Sequence, residues 1–228
     1  RALDYLPPTD LTFSDYLSAL LTADIETYLD DEPFGYRRIL VQSFADYGIV
    51  PASTSGEQNG QWAVPRRQAM HGFSHAEPMK TEAEAVFRFV WENRSLFRIH
   101  PEAFTRVLSV RPVTRTGHDG FVVRETVAEV MQTLEVRADE LGRLDVEKPE
   151  RMPDSTPVRL YGSNAIIFDE FGQLKYDVGT SMKGEKQSER IASLWRRGAF
   201  SANARRPGSF ADMHRQAAGQ VVPPEESW

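Results

Sequence analysis

Cysteine is absent from the 228 residues, which excludes disulfides, thiolate metal sites and a cysteine nucleophile. No apolar run approaches the roughly 18 residues that span a bilayer, so no membrane partner is expected. Basic excess is lacking as well. The formal net charge is −6, and a general nucleic-acid binder needs a basic surface to displace counterions, so no nucleic-acid partner is expected. None of the 15 glycines opens a G-x-x-x-x-G-K-[ST] loop, whose backbone N–H groups would wrap phosphates and whose lysine would reach the terminal ones. The five histidines, His71, His75, His100, His118 and His214, are never followed by Glu, so the H-E-x-x-H pattern of zinc peptidases is missing. No secretory leader is visible. Lack of cysteine does not settle the compartment, and a cytoplasmic setting is the default expectation. The opening "RALDYLPP" lacks Met and reads as the start of a fragment or processed product.

An apolar content of 40%, with 11% aromatic residues, supports a core for one large or two small domains. The expected fold class is α+β: an N-terminal αα-hairpin followed by a mixed helix and β-hairpin module. Phe13, Leu17, Leu20, Leu21, Ile25 and Leu29 recur at helical spacing, with Thr12 and Asp15 as a capping pair. A second helix places Tyr36, Ile39, Leu40, Phe44 and Tyr47 inward and stops at Gly48 and Pro51. Residues 52–61 read as a polar loop. A helix follows over 78–99, with Ala85, Val86, Phe89, Val90 and Phe97 on its apolar side, and then the strand "FTRVLSVRPV" ends in the turn "RTGHDG". Residues 122–144 fit helix through Val123, Val127, Val130, Leu134 and Leu141, with Gly142 as the stop, although "TLEVR" alone also suits a strand. "AIIFDEF" and "LKYDV" form a β-hairpin around Gly172, and residues 184–200 close the module with a helix that buries Ile191, Leu194 and Trp195. Residues 201–228 hold few apolar anchors and are expected to be a flexible tail. The expected division is thus 1–50, 51–200 and 201–228.

"RALDYLPPTDLTFSDYLSALLTAD" followed by "GYRRILVQSFADYGIVP" resembles the last helices of the thermolysin-like, HExxH-containing (gluzincin) zinc metallopeptidases. It is more similar still to a group of large bacterial proteins in which "ALDYxPPxDxTFxDYLxALxTAD" lies downstream of an HExxH segment. The resemblance covers about residues 1–50, and "LYGSNAIIFDEFGQLKYDV" is similar to an extra C-terminal segment of the same group. It implies that zinc and the catalytic machinery belong to an upstream part of the parent protein. No catalytic or cofactor-binding residue of the family has a counterpart in this chain, so no cofactor is expected here. The resemblance further implies that this chain completes the peptidase lobe and recognises substrate or partner. The expected partner is the upstream half of the same precursor or another protein chain. The alternative is a stand-alone, non-catalytic interaction domain.

Within the chain, "HGFSHAE" holds the best metal candidates. His71 and His75 are one helical turn apart, and Glu77 would supply an oxygen ligand. Gly72 and Pro78 work against a helix there, and a loop pair of histidines is the simpler reading. "AIIFDEF" looks like the metal-holding strand of an ATPase, but the alternating run after Gly172 makes Asp169-Glu170 a hairpin tip. Ser163-Asn164 after "YG" would expose a serine in a turn, yet no G-x-S-x-G elbow surrounds it. His118-Asp119 is a pair suited to acid–base work, but a glycine-flanked polar turn explains it more simply. "WRRGAF" with "ARRP" (195–206) makes a basic patch, either a helix end favoured by the macrodipole or a docking site for an acidic partner. The acidic run 24–32 lacks the spacing and glycine of an EF-hand loop and reads as a charged connection.

Overall fold

The structure, a computed structural model, describes residues 1–28, 34–53, 60–65, 76–116, 120 and 122–200. The fold is α+β, as the residue pattern predicts. Helices α1 (Phe13–Ile25), α2 (Tyr36–Ala45), α3 (Ala76–Met79) and α4 (Ala83–Glu92) precede strands β1 (Phe104–Thr116) and β2 (Val122–Arg137). Strands β3 (Pro157–Phe168) and β4 (Leu174–Thr180) follow, and helix α5 (Glu185–Arg196) comes last. Short 3-10 helices occupy Ala2–Tyr5 and Ala138–Leu144. The chain divides into two compact units, Arg1–Val136 with Arg159–Met182, and Arg137–Val158 with the segment from Lys183 onward.

The first unit is built on an antiparallel sheet in the order β1-β2-β3-β4. Helical layers cover both of its faces. On one, Val86, Phe89 and Val90 of α4 and Phe97 pack on Ala128, Val130, Ile166 and Phe168. On the other, Tyr5, Leu6, Ala19 and Ala23 pack on Val127, Ile167, Tyr176 and Val178. Each fully buried Val, Leu, Ile or Phe among them contributes about 1.5–3 kcal/mol by leaving water. Helix α1 starts with the predicted capping box: the Asp15 N–H donates to Thr12 Oγ1 at 3.1 Å and the Thr12 N–H to Asp15 Oδ2 at 2.9 Å. Helix α2 ends where Gly48 takes a φ of 72° and the Ile49 N–H reaches back to the Phe44 carbonyl at 3.0 Å.

Several sequence expectations fail. Residues 122–137 form a strand, with Arg111 opposite Val127 and Val107 opposite Val130 on β1. The segment is rich in β-branched residues (Val122, Val123, Thr126, Val127, Val130, Thr133 and Val136). Spacings of four suit a strand face as well as a helix face, and a strand covered on both faces loses strict alternation. Gly142, expected as a helix stop, sits inside the second 3-10 helix. The inward face proposed for α2 fails at three of its five residues, while Leu40 and Phe44 are half-buried. Tyr36, Ile39 and Tyr47 are 64%, 52% and 85% exposed. The half-buried residues of α2 are Arg37, Leu40, Val41 and Phe44, a neighbouring stripe of the same helix.

The β3–β4 hairpin forms as expected, with Ala165 opposite Val178 and Ile167 opposite Tyr176. Phe168 then pairs with Leu174, which leaves Lys175 as an extra residue on β4. The second unit buries Ala138, Leu141, Leu144, Val146, Met152 and Ile191. Leu194 and Trp195, expected to be buried, are only half-buried on α5. The tail expected over 201–228 lies outside the described residues.

Candidate functional site

The sheet face under α1 carries an ion network that no motif announces. Arg111 and Arg115 of β1 and Glu125 and Glu129 of β2 reach that face because residues two or four apart share a side of a strand. Asp4 accepts from Arg111 Nη1 at 2.7 Å and from Arg115 Nη2 at 3.2 Å. Arg115 Nε donates to Glu125 Oε2 at 2.5 Å, and Lys175 Nζ donates to Glu125 Oε1 at 2.7 Å. Lys175 also donates to Glu26, whose second oxygen accepts from the Tyr176 hydroxyl at 2.6 Å. Arg111 Nη2 and the Ser109 hydroxyl both donate to Glu129, at 3.1 and 2.8 Å. The network thus ties the N-terminal 3-10 helix and the end of α1 to both edge strands. The bulge explains how Lys175 joins it, since an inserted residue re-aims the side chain toward the face that Tyr176 occupies.

Its electrostatics are those of a clamp. Burial pushes the Tyr5 and Tyr176 hydroxyls well above the ordinary tyrosine range, reinforced by Glu125 at Tyr5 and by the hydrogen bond to Glu26 at Tyr176. Burial works against the charge on Lys175, but its bonds to Glu125 and Glu26 outweigh it and keep the ammonium charged. Both tyrosines therefore stay neutral and Lys175 stays charged at neutral pH, so none of the three serves as a base there.

The sequence candidates fall elsewhere. Asp169 is half-buried at the hairpin tip, where its Oδ1 accepts the N–H groups of Phe171 at 2.9 Å and Gln173 at 2.7 Å. Gly172 has the φ of 78° that the turn requires. The carboxylate closes a turn. Ser163 is not in an exposed turn. It is buried in β3, with its hydroxyl bonded to those of Thr9 at 2.8 Å and Thr180 at 2.9 Å. Asn164 beside it donates to Asp177 Oδ1 at 2.7 Å, and Arg98 donates to Asp177 Oδ2 at 2.8 Å. Burial raises the Asp177 carboxyl above the usual carboxylate range, against the opposing pull of Arg98 and Asn164.

His71, His75, His118 and Asp119 lie outside the described residues. Glu77 is described, exposed on α3 and paired with Lys80 at 2.5 Å. Among the described residues, no group of three His, Asp or Glu side chains is arranged to hold a metal ion. Of the acidic run, Asp24 pairs with Arg37 at 2.6 Å and Glu26 belongs to the clamp. Of the basic patch, Arg196 and Arg197 stand exposed at the end of α5. No helix among the described residues is long and apolar enough to cross a membrane.

The first unit also presents apolar side chains to solvent. Tyr36 and Ile39 on α2 and Tyr47 just past its C-terminal end are exposed, Phe34 stacks on Tyr36 with ring centres 5.3 Å apart, and Phe13 and Val50 are exposed as well. Sequence reasoning marked the α2 residues as apolar and helical. It assigned them to the core because periodicity shows that a stripe is apolar, not what covers it. Set against protein-family models, curated proteins and solved structures, the chain matches none.

Proposed function

We propose that this chain is a non-catalytic docking module, the C-terminal portion of a bacterial zinc-metallopeptidase-like protein, which recognises its partner chain through helix α2. The observation that carries the docking role is the exposed row Tyr36, Ile39 and Tyr47, extended by Phe34. Exposed apolar residues grouped in this way mark interaction sites, and aromatic residues dominate the energetics of such sites. The metallopeptidase assignment is supported by the resemblance of residues 1–50, and zinc is assigned to the upstream part. A stand-alone interaction domain is the second reading. Its support is that Leu17, Ala19 and Leu21 of α1 are already buried within this chain.

The test is a titration of this chain with the segment encoded upstream of it. The first reading expects that segment to carry HExxH and to bind, with Ile39→Asp and Tyr47→Asp each weakening affinity by about tenfold or more. An upstream segment without HExxH, or one that does not bind, removes the metallopeptidase reading. Binding that both variants leave unchanged removes α2 as the docking surface.

A further inference from the structure

Two polar atoms inside the clamp, the Tyr5 hydroxyl and Arg115 Nη1, are shielded from solvent and have no hydrogen-bond partner among the described residues. Tyr5 is fully buried and the Arg115 side chain is 6% exposed. They share one neighbourhood: the guanidinium carbon of Arg115 lies 5.0 Å from the centre of the Tyr5 ring. Leaving a buried donor unmade costs about 1–3 kcal/mol, more when the donor is charged. We infer that an internal water is bound between Arg115 Nη1 and the Tyr5 hydroxyl and accepts a hydrogen bond from each.

Charge selects water over an ion. The clamp contains four carboxylates (Asp4, Glu26, Glu125 and Glu129) and three cations (Arg111, Arg115 and Lys175). That excess of negative charge opposes a buried anion, while two N–H and O–H donors repel a cation. A neutral acceptor fits both conditions. Buried waters make about two to four hydrogen bonds. Each oxygen of Glu125 accepts one hydrogen bond from the described residues, which leaves lone pairs in the same cluster for the water's own protons. Trp62 packs against the apolar cluster that holds Tyr5, and its Nε1 donates to the Tyr5 carbonyl at 2.9 Å. This inference concerns the interior of the clamp and is independent of what α2 binds.

A high-resolution crystal structure grown with bromide provides the test. The expected result is density within about 2.7–3.2 Å of both atoms, without anomalous signal. An anomalous bromide peak there, absence of density, or a direct bond from either atom to another protein group overturns the inference. Relaxation dispersion of the water oxygen counts long-lived internal waters in solution. Tyr5→Phe keeps the ring and removes the hydroxyl, and with an unchanged circular dichroism spectrum it is expected to lose one such water. An unchanged count in the folded variant also overturns the inference, and if that variant fails to fold, the crystal structure decides alone.

Discussion

Single residues in this protein are decided by their immediate contacts. Asp169 has the sequence setting of a metal ligand, yet two backbone N–H groups occupy its carboxylate. Asp177 is a charged residue in the alternating run of β4, yet its carboxyl is buried and held by Asn164 and Arg98. Its raised pKa has a definite sign for stability. Between the ordinary carboxylate pKa and its own raised one, the folded chain binds more protons than the unfolded chain, so stability falls as pH rises through that window. Denaturation across the acidic range is expected to show this decline, and Asp177→Asn is expected to flatten it. An equally steep decline in the variant would assign the effect to other groups. Glycines give a second contrast. A Cβ on Gly179 would sit 2.6 Å from Asn164 Nδ2 and 2.9 Å from the Ser163 carbonyl oxygen. Gly179→Ala is therefore expected to cost about 1–3 kcal/mol by thermal or urea denaturation. Gly142 meets nothing within 4 Å and has no positive φ, so Gly142→Ala is expected to be neutral or mildly stabilising.

At the scale of elements, the capping box of α1, the stop after α2 and the turn at Gly172 were legible because each depends on residues within a few positions of one another. Strand β2 was not. Its 16 residues exceed the usual strand length, and cover on both faces blurs its period, so length and spacing both pointed to helix. With that strand misassigned, the clamp was invisible. Arg111 and Arg115 on one strand and Glu125 and Glu129 on the next are a matched pair of four-residue spacings, but only once both segments are strands. The bulge at Lys175 was equally hidden, because one unpaired residue leaves no trace in composition. It makes a testable demand. Lys175→Met removes one of two partners from Glu26 and from Glu125, whose side chain is fully buried. A loss of about 3 kcal/mol is expected in urea denaturation, as for breaking other buried pairs. Adding Glu125→Gln should recover part of it, since the two residues are in direct contact. A loss below about 1 kcal/mol would show that the clamp adds little to the fold.

For the whole molecule, the organising fact is where apolar surface goes. The sheet of the first unit is covered on both faces by residues of the same unit, and the clamp fastens one of those layers ionically. Helix α2 shares only its Leu40, Val41 and Phe44 side and leaves Tyr36, Ile39 and Tyr47 to solvent. The chain as a whole lacks H-E-x-x-H, so no residue pair is set to bind zinc and activate water in the way those peptidases do. Metal analysis of the purified chain is expected to find well under one zinc per molecule. A full equivalent, lost in His71→Ala and in His75→Ala, would instead establish a metal site at "HGFSHAE".

The amino-acid sequence alone determined the α+β class, the positions of the local turns and caps, and the lack of the HExxH and phosphate-loop machinery. These follow from residue chemistry over short distances, where propensity, spacing and turn geometry act without help. The tertiary structure alone decided that 122–137 is a strand, that Lys175 turns inward, that Ser163 and Asp177 are buried, and that the aromatic side of α2 faces solvent. Three of these depend on a partner far away in the chain: Glu26 for Lys175, Thr9 for Ser163, Arg98 for Asp177. An apolar or charged stripe in a sequence states what a surface is made of. What covers it is set by long-range packing, which no local pattern records.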